Sequence, residues 1–140
     1  MNVDKIKYYY LSYNEKKEVE RLLKEDLQKR DDIIFAVLHG SFIEGEYFRD
    51  IDIAIYVKPC AKEHMFKEYV IDLSLSLSKK IGIPVDIQVL NEAPLMFIYE
   101  VLNRGELIVC NDELFFERYF MAIEAEVWDF LYLLRMIEKV

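Results

Sequence analysis

The sequence predicts one α/β (α+β) domain in which helices flank a small mixed sheet and a long helix follows at the C-terminus. Short apolar runs bounded by Gly, Pro or Asp alternate with stretches of helical apolar spacing, which is typical of alternating strands and helices. The last stretch, from about residue 112 to 138, is too long for a strand. A chain of 140 residues fits one domain with its own core, so we expect residues 1–140 to form a single domain.

The N-terminal third is predicted to contain a short apolar lead-in, a helix and a buried strand. Ser12 and Glu15 have the spacing of a capping box, with Asn14 as an alternative N-cap, so the helix should begin here and end near residue 30. The apolar residues 33–38 predict a buried strand, and the Gly-Ser pair that follows predicts a turn into a short helix or loop.

Two further strands, residues 50–57 and 84–90, are predicted on either side of a helix over residues 61–80. Side chains alternate between two faces along each strand, because a strand repeats every two residues. One face of the two strands is formed by the β-branched residues Ile51, Ile53, Ile55, Val57, Val85, Ile87 and Val89. Pro59 ends the first of these strands, and Gly82 ends the helix.

The C-terminal third is predicted as a short helix, an edge strand and the long helix. Pro94 lies in the first turn of the short helix, which Gly105 ends, and residues 106–110 form the edge strand. The long helix carries an apolar stripe made of Phe116, Phe120, Ile123, Val127, Phe130, Leu131 and Leu134. Further aromatic residues lie beside this stripe, so we expect the helix to offer an interface for a second copy or another protein.

The composition argues against a polynucleotide substrate and a membrane location. Lys and Arg total 18 against 26 Asp and Glu, a formal net charge of −8, and no basic stretch of the kind that binds nucleic acid is present. No apolar run approaches the roughly 18 residues of a membrane span, and residues 1–7 do not resemble a signal peptide. Cys60 and Cys110 lack metal-ligand spacing and are interpreted as reduced thiols, which favours a cytoplasmic protein.

The residues with the clearest chemical meaning are aspartates on two of the predicted strands. Asp50 and Asp52 point to the same face of one strand, with Cα atoms about 7 Å apart, and Asp86 occupies the polar face of the next strand. If the two strands are neighbours, the three carboxylates converge and repel one another. One or two Mg²⁺ ions would relieve the repulsion, and a pair of ions can activate a hydroxyl group and stabilise a leaving pyrophosphate.

The Gly40-Ser41 pair supplies the complementary contacts to phosphate. Gly40 allows a phosphate to approach backbone N–H groups, and Ser41 adds a hydroxyl donor. Each feature alone has a simpler interpretation, since Gly-Ser pairs are common in turns and acidic residues are common where a strand meets solvent. The order of the features along the chain favours one site in which the Gly-Ser pair binds phosphate and the aspartates bind metal. His39 is interpreted as a packed strand-end residue, with a catalytic base as the alternative.

The same residues, Gly40-Ser41, Asp50-Ile51-Asp52 and Asp86, resemble the signature of the minimal nucleotidyltransferases (MNT) of the DNA polymerase β superfamily. The resemblance continues through residues 91–108 and into the long helix, where it extends to the antitoxin branch often encoded beside HEPN-domain toxins. It implies a polymerase-β-like nucleotidyltransferase palm. It also implies transfer of AMP from ATP to a tyrosine hydroxyl of the HEPN toxin, which silences the toxin.

The resemblance further implies a role for each site residue. Asp50 and Asp52 would coordinate Mg²⁺, and Asp86 would complete the metal site and help to deprotonate the acceptor hydroxyl. Gly40 and Ser41 would contact the phosphates of ATP, the expected substrate.

Three features depart from the family pattern. The eight-residue spacer before the Asp-x-Asp motif is shorter than usual, and Phe42 and Glu44 stand where basic residues are common. Arg49, which occupies the usual Ser position before the motif, or a lysine such as Lys58, is expected to supply positive charge for the triphosphate. Two alternatives therefore stay open: a non-catalytic antitoxin that neutralises its toxin by binding, and a nucleotidyltransferase that acts on a small molecule.

Overall fold

The computed structural model describes residues 7–59 and 66–139 as a sheet with helices on both faces. Within these residues the elements are, in chain order, β1 (Tyr9–Tyr10), α1 (Tyr13–Gln28), β2 (Ile33–His39), α2 (Ser41–Glu44), β3 (Tyr47–Phe48), β4 (Ile51–Val57), α3 (Phe66–Ile81), β5 (Val85–Val89), α4 (Leu95–Arg104), β6 (Glu106–Cys110) and α5 (Glu113–Glu138). The first residues of the predicted helix over 61–80, together with Cys60 and residues 1–6, lie outside the described part of the chain.

In the described residues, four strands form a mixed sheet in the order β5-β4-β2-β6. β2 is antiparallel to both of its neighbours, β4 and β6, whereas β4 and β5 are parallel. Parallel neighbours need a crossover connection, which the segment containing α3 provides. The mixed sheet and the edge position of β6 confirm the sequence prediction. The pairing of β4 with β5 also meets the condition under which the three aspartates converge.

The alternation predicted for β4 separates two hydrophobic cores. Ile51, Ile53 and Ile55 share one core with Leu23 of α1 and Leu77 of α3. The core on the opposite face of the sheet joins α4 and α5 to the strands and includes Phe35, Ala54, Ile98, Val101, Ile123 and Val127. Helices therefore cover both faces of the sheet.

The helix boundaries largely follow the predicted capping signals. Ser12 is the N-cap of α1: its hydroxyl accepts a hydrogen bond from the N–H of Glu15 (3.2 Å), and the Glu15 carboxylate accepts one from the N–H of Ser12 (3.0 Å). This capping box excludes Asn14 as the N-cap. Pro94, expected in the first turn of α4, is instead its N-cap, because its ψ of 144° is extended. Asp112 is the N-cap of α5.

The N-terminal tyrosines form a strand that the sequence analysis does not predict. β1 pairs antiparallel with β3, which places Tyr9 beside Phe48 and Tyr10 beside Tyr47. The rings of Tyr9 and Phe48 stack with their centroids 5.9 Å apart. The two strands are distant in the sequence, so this pairing holds residues 9 and 10 against the segment that leads into β4.

The two halves of α5 have different environments. Ile123 and Val127 in the first half are buried against α4 and the sheet. Every residue from 128 to 139 is exposed, because α5 extends past the elements on which its first half packs. The predicted apolar stripe therefore packs in the core at Ile123 and Val127, whereas its members Phe130, Leu131 and Leu134 are 42–43% exposed. Among the described helices, none has the length and apolar character needed to cross a membrane.

Candidate functional site

The parallel pairing of β4 and β5 brings the three predicted aspartates together. Asp52 and Asp86 are register partners on neighbouring strands, and Asp50 lies two residues before Asp52. One carboxylate oxygen from each residue lies within 4.8 Å of the other two. Asp50 and Asp52 are half-buried and Asp86 is exposed, so the cluster is open to solvent at the edge of the sheet.

The cluster has the donor set of a divalent-cation site, since carboxylate oxygens are the ligands that Mg²⁺ and Mn²⁺ prefer. Burial, followed by the charges of Asp50 and Asp86, raises the pKa of Asp52. A hydrogen bond from Gln88 and the proximity of His39 oppose this increase in the pKa. A bound cation would remove the repulsion among the carboxylates, so the residues present fit a metal such as Mg²⁺.

The raised pKa of Asp52 predicts a pH-dependent stability of the metal-free protein. A carboxyl group with a higher pKa in the folded state binds its proton more tightly there, so its stabilising contribution is present below the unfolded pKa of about 3.9 and is lost as the pH rises through the folded pKa. Asp52→Asn has no titrating group at this position, so the variant should not lose this stabilising contribution as the pH rises. With a chelator present, the variant should melt at a higher temperature than the wild type near neutral pH.

Thermal unfolding of both proteins across pH measures this difference directly. The difference in melting temperature should vanish below about pH 4, where Asp52 is protonated in both states. Asp72→Asn, at an exposed position on α3, is the control and should show no such trend. A difference between wild type and Asp52→Asn that does not change with pH would contradict the prediction.

Gly40 connects β2 to α2 in a conformation that few other residues adopt. Its φ is +79°, and a Cβ atom at this position would lie 2.5 Å from Oδ2 of Asp52. The backbone therefore approaches the carboxylate cluster so closely that a side chain at this position would displace the carboxylate of Asp52. Ser41 follows directly as the first residue of α2 and is exposed. The predicted Gly-Ser turn thus adjoins the predicted aspartates.

Gly40→Ala should weaken both the fold and the metal site. The conformation of Gly40, with φ +79° and ψ −158°, is essentially restricted to glycine and costs another residue about 1–3 kcal/mol. The new methyl group would also displace the carboxylate of Asp52. Gly82→Ala is a matched control, because Gly82 has a φ of +83° and nothing lies within 4 Å of its added Cβ. Denaturant unfolding should show a loss of stability in both variants, whereas Mn²⁺ binding should weaken only in Gly40→Ala. Equal Mn²⁺ affinities in the two variants would contradict this prediction.

The eight-residue spacer before the Asp-x-Asp motif is a packed unit. Phe42 and Phe48 are buried, with their rings edge to face and 5.0 Å between centroids. The ammonium group of Lys16 donates hydrogen bonds to the carbonyl oxygens of Phe42 and Gly45, at 2.7 and 3.0 Å. Phe42 therefore belongs to the core, which explains an apolar residue at a position where the family pattern has a basic one.

Glu44, the second departure from that pattern, pairs with an arginine from another element. Its carboxylate lies 3.0 Å from Nε of Arg104, which also pairs with Glu100 at 3.1 Å. Exposed ion pairs of this kind contribute little to stability. Arg104 lines a cleft of about 210 Å³ together with residues that include His39, Gly40 and Phe97.

The two cations that the sequence suggested as phosphate ligands lie at opposite ends of β4. Arg49 directly precedes Asp50 and is exposed, so its contact with nucleotide stays a prediction. Lys58 lies six residues beyond Asp52, and a strand rises about 3.3 Å per residue, which places it about 20 Å from the cluster. The expectation that Lys58 could compensate for missing positive charge is therefore wrong.

Gln88 and His39 complete the polar network of the carboxylate cluster, a contact that the sequence pattern does not predict. Nε2 of Gln88 donates to Oδ2 of Asp86 at 2.6 Å and to Oδ1 of Asp52 at 3.3 Å. Nε2 of His39 lies 2.6 Å from Oε1 of Gln88, and the imidazole packs edge-on against Phe97. The two-residue alternation of β5 places Gln88 on the same face as Asp86, so the sequence contained a signal only for the contact between these two residues.

Comparisons with known proteins identify the fold and the family of this chain. A family model described as "Polymerase beta, Nucleotidyltransferase" matches residues 21–114, which contain all the predicted site residues. A tri-AMPylated Shewanella oneidensis HEPN toxin in complex with MNT antitoxin contains a chain with a TM-score of 0.67 and 16% identity, covering 89% of this chain and 96% of that one. A chain of the toxin-antitoxin MntA-HepT structure matches with a TM-score of 0.61 and 15% identity, covering 91% of this chain and 97% of that one. A chain of a toxin-antitoxin structure with AMP-PNP matches with a TM-score of 0.62 and 18% identity, covering 92% of this chain and 97% of that one. No curated protein matches the chain.

At these identities the structural likeness shows a shared fold, which confirms the fold class predicted from the sequence. Family membership rests on the family model, which matches more than half of the chain and extends from α1 into the start of α5. Its match includes the glycine-serine turn and both aspartate-bearing strands. The chain belongs to the polymerase beta nucleotidyltransferase family.

Proposed function

We propose that this protein is a Mg²⁺-dependent nucleotidyltransferase that transfers AMP from ATP to a tyrosine hydroxyl of a partner HEPN toxin and thereby acts as an antitoxin. The observation that carries the proposal is the convergence of Asp50, Asp52 and Asp86 beside Gly40 and Ser41. Similar folds occur in structures that contain a tri-AMPylated HEPN toxin with MNT antitoxin, or AMP-PNP, which supports AMP as the transferred group. In this proposal residues 1–140 form one nucleotidyltransferase domain that acts in the cytoplasm.

Each carboxylate has a task in the proposed reaction. Asp50 and Asp52 would hold Mg²⁺, and Asp86 would complete a site for two ions, which would neutralise charge on the reacting phosphate and the leaving pyrophosphate. The tyrosine oxygen forms a bond to the α-phosphorus while the bond from that phosphorus to the pyrophosphate oxygen breaks. Asp86, the most exposed of the three, accepts the proton that the tyrosine hydroxyl loses.

The ATP phosphates would bind to the Gly40-Ser41 turn at the start of α2 and to Arg49. Ser41 donates its hydroxyl hydrogen, and the missing side chain at Gly40 keeps the approach to the backbone open. Arg49 adjoins Asp50 and is exposed, so it supplies positive charge that the buried Phe42 does not. The acidic chain itself gives no support for a nucleic-acid substrate.

The exposed second half of α5 is the proposed contact surface for the HEPN partner. Its apolar residues surround most of the helix: Trp128, Phe130, Leu131, Tyr132, Leu133, Leu134, Met136 and Ile137. A helix that is apolar on nearly all sides is normally buried among other elements. A second copy of the chain is the alternative occupant of this surface.

Transfer of AMP to the partner tests the proposed function. The purified protein is incubated with ATP, Mg²⁺ and the HEPN protein encoded beside it, and the intact mass of the partner is measured. The expected result is the addition of AMP, mapped by peptide sequencing to a tyrosine, and loss of the addition when a chelator replaces Mg²⁺. A partner of unchanged mass under conditions in which the two proteins form a complex would contradict transfer.

A non-catalytic antitoxin is the second candidate function. The observations that favour it are the buried Phe42 and the ion-paired Glu44, which leave two basic positions of the family pattern without a cation. An Asp50→Asn/Asp52→Asn double variant discriminates between the two functions when it is co-expressed with the toxin. Protection of the cells by the double variant would favour neutralisation by binding, and loss of protection would favour chemistry.

A further inference from the structure

The side chain of Gln88 bridges three neighbouring strands beside the carboxylate cluster. Gln88 is on β5, its register partner on β4 is Ala54, and His39 on β2 is the register partner of Asp52. Strands are spaced about 4.8 Å apart, so a contact from β5 to β2 must cross the whole width of β4. The small, fully buried Ala54 leaves room for the long amide side chain to make this crossing.

The amide of Gln88 has only one orientation that suits all of its neighbours. Its nitrogen carries two donors, and both carboxylates on that side, Asp86 at 2.6 Å and Asp52 at 3.3 Å, can only accept when ionised. The oxygen therefore faces Nε2 of His39 at 2.6 Å, and this ring nitrogen must carry the hydrogen. The opposite orientation would place the amide oxygen against two negative charges.

His39 is itself held in place, so the orientation of the amide does not depend on solvent. The imidazole packs at 82° to the ring of Phe97 with 5.8 Å between centroids. The chain of contacts thus runs from a packed aromatic ring through His39 and Gln88 to the two carboxylates that β4 and β5 contribute. Asp86 is exposed, and the short bond from Gln88 limits its rotation.

We propose that Gln88, oriented by His39, is a positioning residue that holds Asp52 and Asp86 in the arrangement that binds the divalent cation. This inference rests on the proposed function, because it assigns the cluster to a metal. Gln88 would not bind the metal itself but would donate hydrogen bonds to Asp52 and Asp86. Such hydrogen bonds orient metal-binding side chains in other proteins. Gln88 touches neither the nucleotide nor the acceptor in this assignment.

The test is the affinity for Mn²⁺ alone, measured by electron paramagnetic resonance or calorimetry without nucleotide or partner. Gln88→Met keeps the length of the side chain and removes both donors, and should weaken Mn²⁺ binding about 10-fold, as is typical for loss of a contact to a metal ligand. Gln28→Met, at an exposed position at the end of α1, is the matched control and should bind Mn²⁺ as the wild type does. Thermal unfolding verifies that each variant is folded.

A second variant keeps the inference testable if Gln88→Met does not fold. His39→Phe retains an aromatic ring against Phe97 and removes the N–H group that orients the amide, so it should weaken Mn²⁺ binding in the same direction by a smaller factor. Unchanged Mn²⁺ affinity in the folded variants would overturn the positioning role.

Activity measurements separate positioning from a structural defect. If AMP transfer occurs, Gln88→Met should need more Mg²⁺ for half-maximal activity, while its kcat at saturating Mg²⁺ stays close to that of the wild type. A lower kcat at every Mg²⁺ concentration would contradict positioning. The Mn²⁺ titration needs no transfer, so a failure of the proposed function and a failure of this inference give different results.

Discussion

Asp52→Asn is expected to abolish AMP transfer while leaving the protein folded. Asp52 lies at the centre of the cluster, between Asp50 on its own strand and Asp86 on the neighbouring one. Cations bound there would provide several kcal/mol of charge stabilisation in the transition state, so losing the site corresponds to a decrease in kcat of about 1,000-fold. Asparagine has almost the same volume and removes one of three mutually repelling charges, so the fold should not suffer.

Transfer of labelled AMP from ATP measures this effect, with Mn²⁺ binding and thermal unfolding recorded on the same samples. Asp72→Asn makes the same chemical change at an exposed position on α3 and should leave all three measurements unchanged. Asp52→Asn should lose the label and the metal affinity together. Persistent labelling by a folded Asp52→Asn variant would show that the carboxylate cluster is not needed for AMP transfer.

The aspartate cluster could be predicted because its chemistry conflicts with its local structure. Aspartate is uncommon in strands, so Asp50 and Asp52 at the start of an apolar strand needed an explanation beyond packing. The period of two then assigned both side chains to one face, and the same rule assigned Asp86 in the later strand. The sequence left only the pairing of the two strands open, and the parallel register of Asp52 with Asp86 resolves it.

The features that escaped prediction depend on contacts between residues distant in the sequence. The pairing of Tyr9 with Phe48 has no local signal, although it organises the spacer before the aspartates. The bridge from Gln88 to His39 crosses an intervening strand and depends on the small size of Ala54. Local patterns report which face a side chain occupies, but not which long side chains meet on that face.

Trp128→Ala is expected to weaken binding of the HEPN partner strongly without affecting the metal site. Trp128 begins the exposed half of α5 and is 66% exposed, so its removal should cost the isolated protein little stability. Tryptophan is among the residues that dominate protein interfaces, and one that becomes buried in the interface typically contributes about 2 kcal/mol or more, so its loss corresponds to an increase in Kd of about 30-fold. Calorimetry or surface plasmon resonance with the purified partner measures this change.

Leu75→Ala is the matched control for exposed apolar area. Leu75 is 56% exposed on α3, which packs on the opposite face of the sheet from α5, so its removal should leave partner binding unchanged. Because Trp128→Ala retains the aspartates, it should raise the KM for the partner protein with little change in kcat, in contrast to Asp52→Asn. A Kd for the partner that matches the wild type would exclude this face as the partner site. If Trp128→Ala instead converts a dimer of this chain into monomers, the face joins two copies and the toxin must bind elsewhere.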